Sequence, residues 1–160
     1  MSIVITLPKS IVRELERRAR KVGASLEEFL ADIATQDLDP SEKAKRYIEG
    51  ALELLEQAKE ELRKNDLVQA SEKIWGACAL AIKAYAYAKE GKRLASHGEL
   101  WEYSRIVAKD LGDWVLDAWA HASSMHINFY EKWATREHVE RAFKSIEKLV
   151  KVIVDIITKK

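Results

Sequence analysis

Along most of this chain apolar residues recur at steps of three and four, the spacing of one buried helix face. From Glu42 to about Lys64, the residues Ala44, Tyr47, Ile48, Ala51, Leu55, Ala58 and Leu62 keep that rhythm, and Asn65 with Asp66 breaks it. Asp66 is placed to cap a second long helix. That helix is predicted to run to about Glu90, with Leu67, Ala70, Ile74, Ala77, Cys78, Ala81, Ile82 and Tyr85 inward, before Gly91 stops it. Its middle, WGACALAIKAYAYA, is built from small residues, which predicts close packing against the aromatic segment further along. Ser96 with Glu99 forms a capping-box pattern that opens a shorter helix to about Leu111, closed by Gly112. An aromatic helical segment follows over Asp113–Trp133, and Thr135 caps a last helix with Val139, Phe143, Ile146, Val150, Ile153 and Ile157 in one stripe.

The first residues follow a different rule. SIVITL, residues 2–7, is short and β-branched and predicts a strand. Pro8 opens a charged helix to about Val22, ended by Gly23. Ser25 with Glu28 caps a second short helix carrying Leu26, Phe29, Leu30 and Ile33 inward. A lone strand needs a partner for its backbone groups, so it is expected to pair with its copy in a second subunit. This order resembles a ribbon-helix-helix unit, a DNA-binding dimer. With Ile3, Ile5 and Leu7 facing the core, however, the outward residues Ser2, Val4 and Thr6 hold no Arg, Lys, Asn or Gln to grip base edges. Dimerisation is the plainer reading of this arm, with DNA binding as an alternative. The expected fold is all-α: an antiparallel up-and-down helical bundle over 39–160, preceded by a strand-helix-helix arm over 1–38.

Residues 119–133, WAHASSMHINFYEKW, concentrate the candidate chemistry. On a helical wheel Trp119, Ala122, His126, Phe129, Tyr130 and Trp133 share an apolar side, while Asp117, His121, Ser124, Asn128 and Glu131 line a polar one.

Composition narrows the choices. The formal net charge is +1 over 160 residues, so a broad nucleic-acid-coating surface is not implied, although this leaves room for a local basic strip. No apolar run approaches the roughly 18 residues of a membrane span, and no signal peptide is evident, so a cytoplasmic protein with no membrane partner is expected. The single cysteine, Cys78, sits in an apolar run and reads as a core residue. Few Asn and Gln beside many Glu, Lys and Arg hint at a thermophile source.

The phrases LDPSEKAKRYIEGALELLEQAKEEL, KNDLVQASEKIWGACALAIKAYA, SHGEL and MHINFYEKW resemble the PaREP type-one family of archaeal proteins, which is similar to the HEPN superfamily. The resemblance covers about the whole chain. It implies a HEPN-like bundle, usually a homodimer, associated with nucleotides, with RNA cleavage and with nucleotidyltransferase-type protein partners. Catalytic members of that superfamily carry an Arg and, four to six residues later, a His. With His126 as that His, the Arg position falls at Ala120, His121 or Ala122, none of which is arginine. A mostly neutral histidine is a poor substitute for a permanent cation facing phosphate. The expected function is therefore a homodimeric module that binds nucleotide, RNA or a nucleotidyltransferase-like protein without efficient catalysis. The alternative is a metal-independent ribonuclease.

His126 and Tyr130 are the candidate catalytic residues, an imidazole suited to moving protons at neutral pH beside a hydroxyl; the competing reading of His126 is a hydrogen-bonded core histidine. His121, Asn128, Glu131 and His97 are candidate ligand-binding residues. Glu131 alternatively pairs with Lys132 or Arg136, and His97, after the basic loop KEGKRLAS, alternatively caps or packs. Arg141, Lys144, Lys148 and Lys151 form a row that would draw phosphates, or else a solvated face. A metal site is not expected, since His121 and His126 are five residues apart, about 140° around a helix. Without a P-loop or dinucleotide glycine pattern, no cofactor is expected either.

Overall fold

The computed structural model describes residues 3–159. In chain order it forms α1 (Lys9–Val22), α2 (Leu26–Ala34), α3 (Pro40–Arg63), α4 (Leu67–Glu90), α5 (His97–Leu111), α6 (Trp114–Glu131) and α7 (Arg136–Thr158). The capping boxes form as the sequence predicts. Ser25 Oγ accepts from Glu28 N at 3.1 Å, and Ser96 Oγ accepts from Glu99 N at 3.2 Å. Asp39 and Asp66 cap α3 and α4 through the backbone of Glu42 and Gln69. Among the described residues no helix is long and apolar enough to cross a membrane.

Helix α4 is the axis of the bundle. It packs against α3, α5, α6, α7 and α2, so from Ala70 to Tyr87 nearly every side chain is buried, whichever way it points. Its small residues serve α3 as well as the aromatic segment: a Cβ placed on Gly76 would lie 2.9 Å from Leu54 Cδ1. Trp75, Ile74 and Ile82 of α4, Val115 and Trp119 of α6, and Ile146 and Ile153 of α7 fill the centre.

The arm differs from the bundle in two respects. Residues 3–8 run without regular secondary structure, with Ile3, Val4 and Ile5 exposed by 85%, 90% and 72%. Among the described residues of the strand expected over 2–7, none joins a ladder within the single chain, and Ile3 and Ile5 do not reach its core. An extended segment with no neighbouring strand has no ladder to join. Ser2, one of the expected outward residues, lies outside the described residues. A correction concerns α2, where Leu30 and Ile33 are exposed although their spacing points them inward. The helix turns its acidic face to the bundle because α4 offers it lysines. Lys83 Nζ lies 2.9 Å from Glu28 and 2.7 Å from Asp32, and Lys73 pairs with Glu27. Tyr47 donates its hydroxyl to Asp32 and stacks on Tyr87 at 5.5 Å.

Candidate functional site

His126 is carried by the fourth turn of α6 onto the indole of Trp75, with ring centroids 4.8 Å apart. Around these rings lie Trp119, 5.3 Å from Trp75, His97, 6.0 Å from His126, and Tyr130, edge-on at 5.7 Å. The imidazole is neither sealed nor free, with 17% of its side chain exposed. His126 Nδ1 faces Glu72 Oε2 at 3.8 Å, beyond hydrogen-bond distance, and both atoms are buried without a partner among the described residues. Trp75 Nε1, Trp119 Nε1 and His97 Nδ1 are in the same condition. Buried polar atoms are ordinarily satisfied, so several orphans around one ring cluster set this region apart from the rest of the core.

Burial pushes the Glu72 carboxyl above its usual range, and His126 opposes that shift. His97 moves the other way, its imidazole held below its usual value by burial and then by His126. Its Nε2 accepts from Trp101 Nε1 at 2.7 Å, which leaves the ring proton on Nδ1 in the neutral form. Gly23, at φ +73, ends α1 directly over this ring: a Cβ there would come within 2.6 Å of His97 Cβ. His97 thus acts as a neutral packing piece between the arm and the bundle.

Beside Glu72 a cavity of about 230 Å³ opens between arm and bundle, lined by α1, the α1–α2 junction, α4 and the end of α6. Glu16, Arg20, Glu27, Glu72, Phe129 and Tyr130 are among its walls. Arg20 holds its guanidinium 5.8 Å from the Tyr130 ring centre.

His121 goes elsewhere. It leaves α6 on the opposite side from His126 and shares a 2.7 Å hydrogen bond with Ser145 Oγ of α7. A groove of about 530 Å³ there is lined by His121, Glu137, Glu140, Arg141, Lys144 and Ser145. Glu140 is held by Arg136 at 2.7 Å. The basic row of α7 divides: Arg141 and Lys144 enter the groove, Lys148 sits 4.3 Å over the Trp114 ring, and Lys151 turns to Glu147 at 3.7 Å.

Asn128 is not on a polar surface as its wheel position suggests. It is 1% exposed, its amide donates to Ser71 Oγ at 2.8 Å, and its Oδ1 accepts from the backbone of Trp133 and Ala134 at 2.8 and 2.7 Å. Lys132, at φ 60, turns the chain out of α6 there, leaving Trp133 54% exposed rather than inward. The carbonyl oxygen of Asn128 is thereby engaged in ending the helix, and its amide nitrogen ties α6 to α4. Glu131 is exposed, and Arg136, one of its expected partners, bonds Glu140, the Leu62 carbonyl and Asn65 instead. Of the basic residues ahead of α5, Lys89 in the last turn of α4 pairs with Asp110, and Lys92 in the loop sits over Tyr103. The arrangement therefore brings His126, His97 and Tyr130 together, and His121, Arg141 and Lys144 together, as two separate places. Glu72 and Arg20 join the first and Ser145 the second. A signal for Glu72 was its position three residues before Trp75, on a helix buried all round. Among the described residues no group of three or more His, Cys, Asp or Glu is placed to hold a metal ion.

A model of the archaeal PaREP1/PaREP8 family matches residues 46–150. The chain is also similar to a protein of Sulfolobus solfataricus known from a crystal structure. The TM-score is 0.60 at 27% identity, over 66% of this chain and 94% of that one. No curated protein matches.

Proposed function

Because this chain belongs to the archaeal PaREP1/PaREP8 family, a membership that names no ligand, its own surfaces carry the functional reading, and we propose a homodimeric binding module whose α6–α7 groove takes the phosphates of RNA or a nucleotide. One observation supports this above the others. His121 and Ser145 are joined at 2.7 Å across the two helices, and Arg141 and Lys144 line the same groove. Two cations, a hydroxyl and an imidazole are the donors that phosphate oxygens need. Glu140 is neutralised by Arg136. Glu137, at the first turn of α7, is the remaining acidic neighbour and restricts the phosphate to the Lys144 end.

The dimer would rest on residues 3–7, whose β-branched start, Ile3, Val4 and Ile5, stands out from the bundle. Pairing two copies antiparallel satisfies both backbones and covers Ile3 and Ile5. DNA reading by the arm gains little from this arrangement, since Val4 and Thr6 offer none of the Arg, Lys, Asn or Gln side chains that make bidentate base contacts.

The ribonuclease reading has less to support it. His121 and His126 lie on different sides of α6, so the position nearest to the superfamily arginine does not face the imidazole. The carboxylate nearest that imidazole, Glu72, would repel a phosphate.

The test is fluorescence anisotropy with a labelled single-stranded RNA, comparing the parent with the Arg141→Ala, Lys144→Ala double variant. The double variant is expected to bind at least about tenfold more weakly, with a log–log salt slope shallower by roughly 1 to 2. Equal affinity and slope in the two proteins would remove the groove from consideration.

A further inference from the structure

The cavity between arm and bundle carries a ligand argument of its own, independent of the groove. Glu72 forms part of its polar wall, with a side chain 7% exposed and an Oε2 that faces His126 Nδ1 at 3.8 Å and has no hydrogen-bond partner among the described residues. A buried, unsatisfied carboxylate costs free energy wherever nothing meets it. Glu16 and Glu27 line the same space, and only Glu27 is held by a lysine, Lys73. Among the described residues the one cation on the wall, Arg20, lies out over Tyr130 at 5.8 Å, on the exposed side of the cavity. Phe129 and Tyr130 supply the remaining apolar wall.

We infer that this cavity is a binding site for a small organic cation bearing a guanidinium group. The reasons are charge, shape and an internal precedent. Carboxylates outnumber cations on the walls, so an anion or a free nucleotide phosphate is repelled and a cation drawn in. A guanidinium is planar and presents a fork of donors that a carboxylate accepts in pairs, and its face stacks on an aromatic ring. Arg20 already places a guanidinium against Tyr130, showing that this ring takes one. A ligand guanidinium would sit one layer deeper, between the Tyr130 edge and Glu72. The volume of about 230 Å³ equals that of roughly seven or eight waters at ~30 Å³ each, which suits a chain of about ten heavy atoms. Because α1 and α2 form one wall and α4 and α6 the other, occupancy would also fasten the arm to the bundle.

Isothermal titration calorimetry of the full chain with agmatine tests the inference, with 4-guanidinobutanoate as the anion-bearing comparison and potassium chloride at matched ionic strength as the blank. Agmatine is expected to bind saturably, and 4-guanidinobutanoate at least about tenfold more weakly because its carboxylate meets Glu16 and Glu27. Glu72→Gln keeps the shape of the site, and should reduce agmatine affinity by at least about tenfold. Tyr130→Ala, a change at a half-exposed ring that leaves the bundle untouched, should reduce it by about threefold or more. No saturable agmatine binding by the parent, or undiminished binding by both variants, overturns the inference. An unchanged RNA affinity in Glu72→Gln would show that this site and the α6–α7 groove stand or fall separately.

Discussion

Lys83 Nζ lies 2.9 Å from Glu28 Oε1, and both side chains are 2% exposed. Burial by itself would push the Lys83 ammonium down, but the Glu28 and Asp32 carboxylates outweigh it and hold the group above its usual value. The pair joins α2 to the most buried helix of the bundle. Lys83→Met should therefore strand two carboxylates and destabilise the protein by about 3 to 5 kcal/mol. Urea denaturation at pH 7 measures this, and a loss under about 1 kcal/mol would mean that α2 is not held through this pair. A group with a raised pKa contributes stability that is complete below its unfolded value and is lost as pH rises through the folded value. The Lys83 contribution is thus constant through neutral pH and disappears only in the strongly alkaline range.

Glu72 should show the reverse of the usual carboxylate behaviour. Its carboxyl is raised by burial, with His126 opposing and Glu27 and Lys73 acting from farther off. The folded protein then holds the proton more tightly than the unfolded chain. Stability from this group is complete below the ordinary value of 4.5 and declines as pH rises through the folded value. Glu72→Gln should accordingly be more stable than the parent at pH 7.5, with the gap narrowing toward pH 4.5. Paired thermal melts across that range decide it. A variant less stable than the parent at pH 7.5 would show that the ionised Glu72 is satisfied in the fold.

The amino-terminal segment gives a prediction about assembly. Ile3, Val4 and Ile5 are among the most exposed apolar residues of the chain, and an unpaired β-branched run is a template for another strand. Light scattering behind size exclusion should find a dimer for the parent. Ile5→Lys, which places a charge where the two strands meet, should shift it to monomer at micromolar concentration with unchanged helical circular dichroism. A parent that stays monomeric at hundreds of micromolar would end the proposal of a strand-paired dimer.

Much of the fold was readable because its signals are local. Capping boxes at Ser25 and Ser96 and the left-handed glycines 23 and 91 fix helix ends by chemistry within a few residues. What needs two distant segments was not readable. Leu30 and Ile33 have inward spacing, yet α2 faces Lys83, some fifty positions away in sequence, and rotates to meet it. Asn128 belongs to a polar stripe on the wheel, but the chain turns at Lys132 and needs an acceptor, so the amide is taken inside. The candidate site divides for a similar reason. His121 and His126 are close in sequence, whereas their partners Ser145 and Glu72 arrive from opposite sides of α6.

The division of the basic row predicts unequal effects along α7. Lys148 is engaged over Trp114 at 4.3 Å and Lys151 with Glu147, while Arg141 and Lys144 line the groove with His121. Lys148→Ala and Lys151→Ala should each change RNA affinity by less than about twofold, against roughly three- to tenfold for Lys144→Ala. Similar losses at all four positions would mean that a smeared positive field, rather than the groove, attracts the nucleic acid.

Asn128 allows a structural role to be separated from a ligand-binding one. Its side chain makes three hydrogen bonds, to Ser71 Oγ and from the backbone of Trp133 and Ala134, in surroundings where it is 1% exposed. Asn128→Ala leaves two backbone N–H groups and one hydroxyl short of partners, which should destabilise the protein by about 2 to 4 kcal/mol. Asn128→Asp retains the acceptor for both N–H groups but loses the amide donor and buries a charge, so it should be destabilising at pH 7 and recover toward acid pH as the carboxyl is protonated. Neither change should alter RNA affinity at a temperature where the variant is folded, because the amide faces the α6–α7 turn rather than the groove at His121. Denaturation and anisotropy on the same two preparations distinguish the roles. A stable Asn128→Ala that has lost RNA binding would reassign this residue from the end of a helix to a ligand.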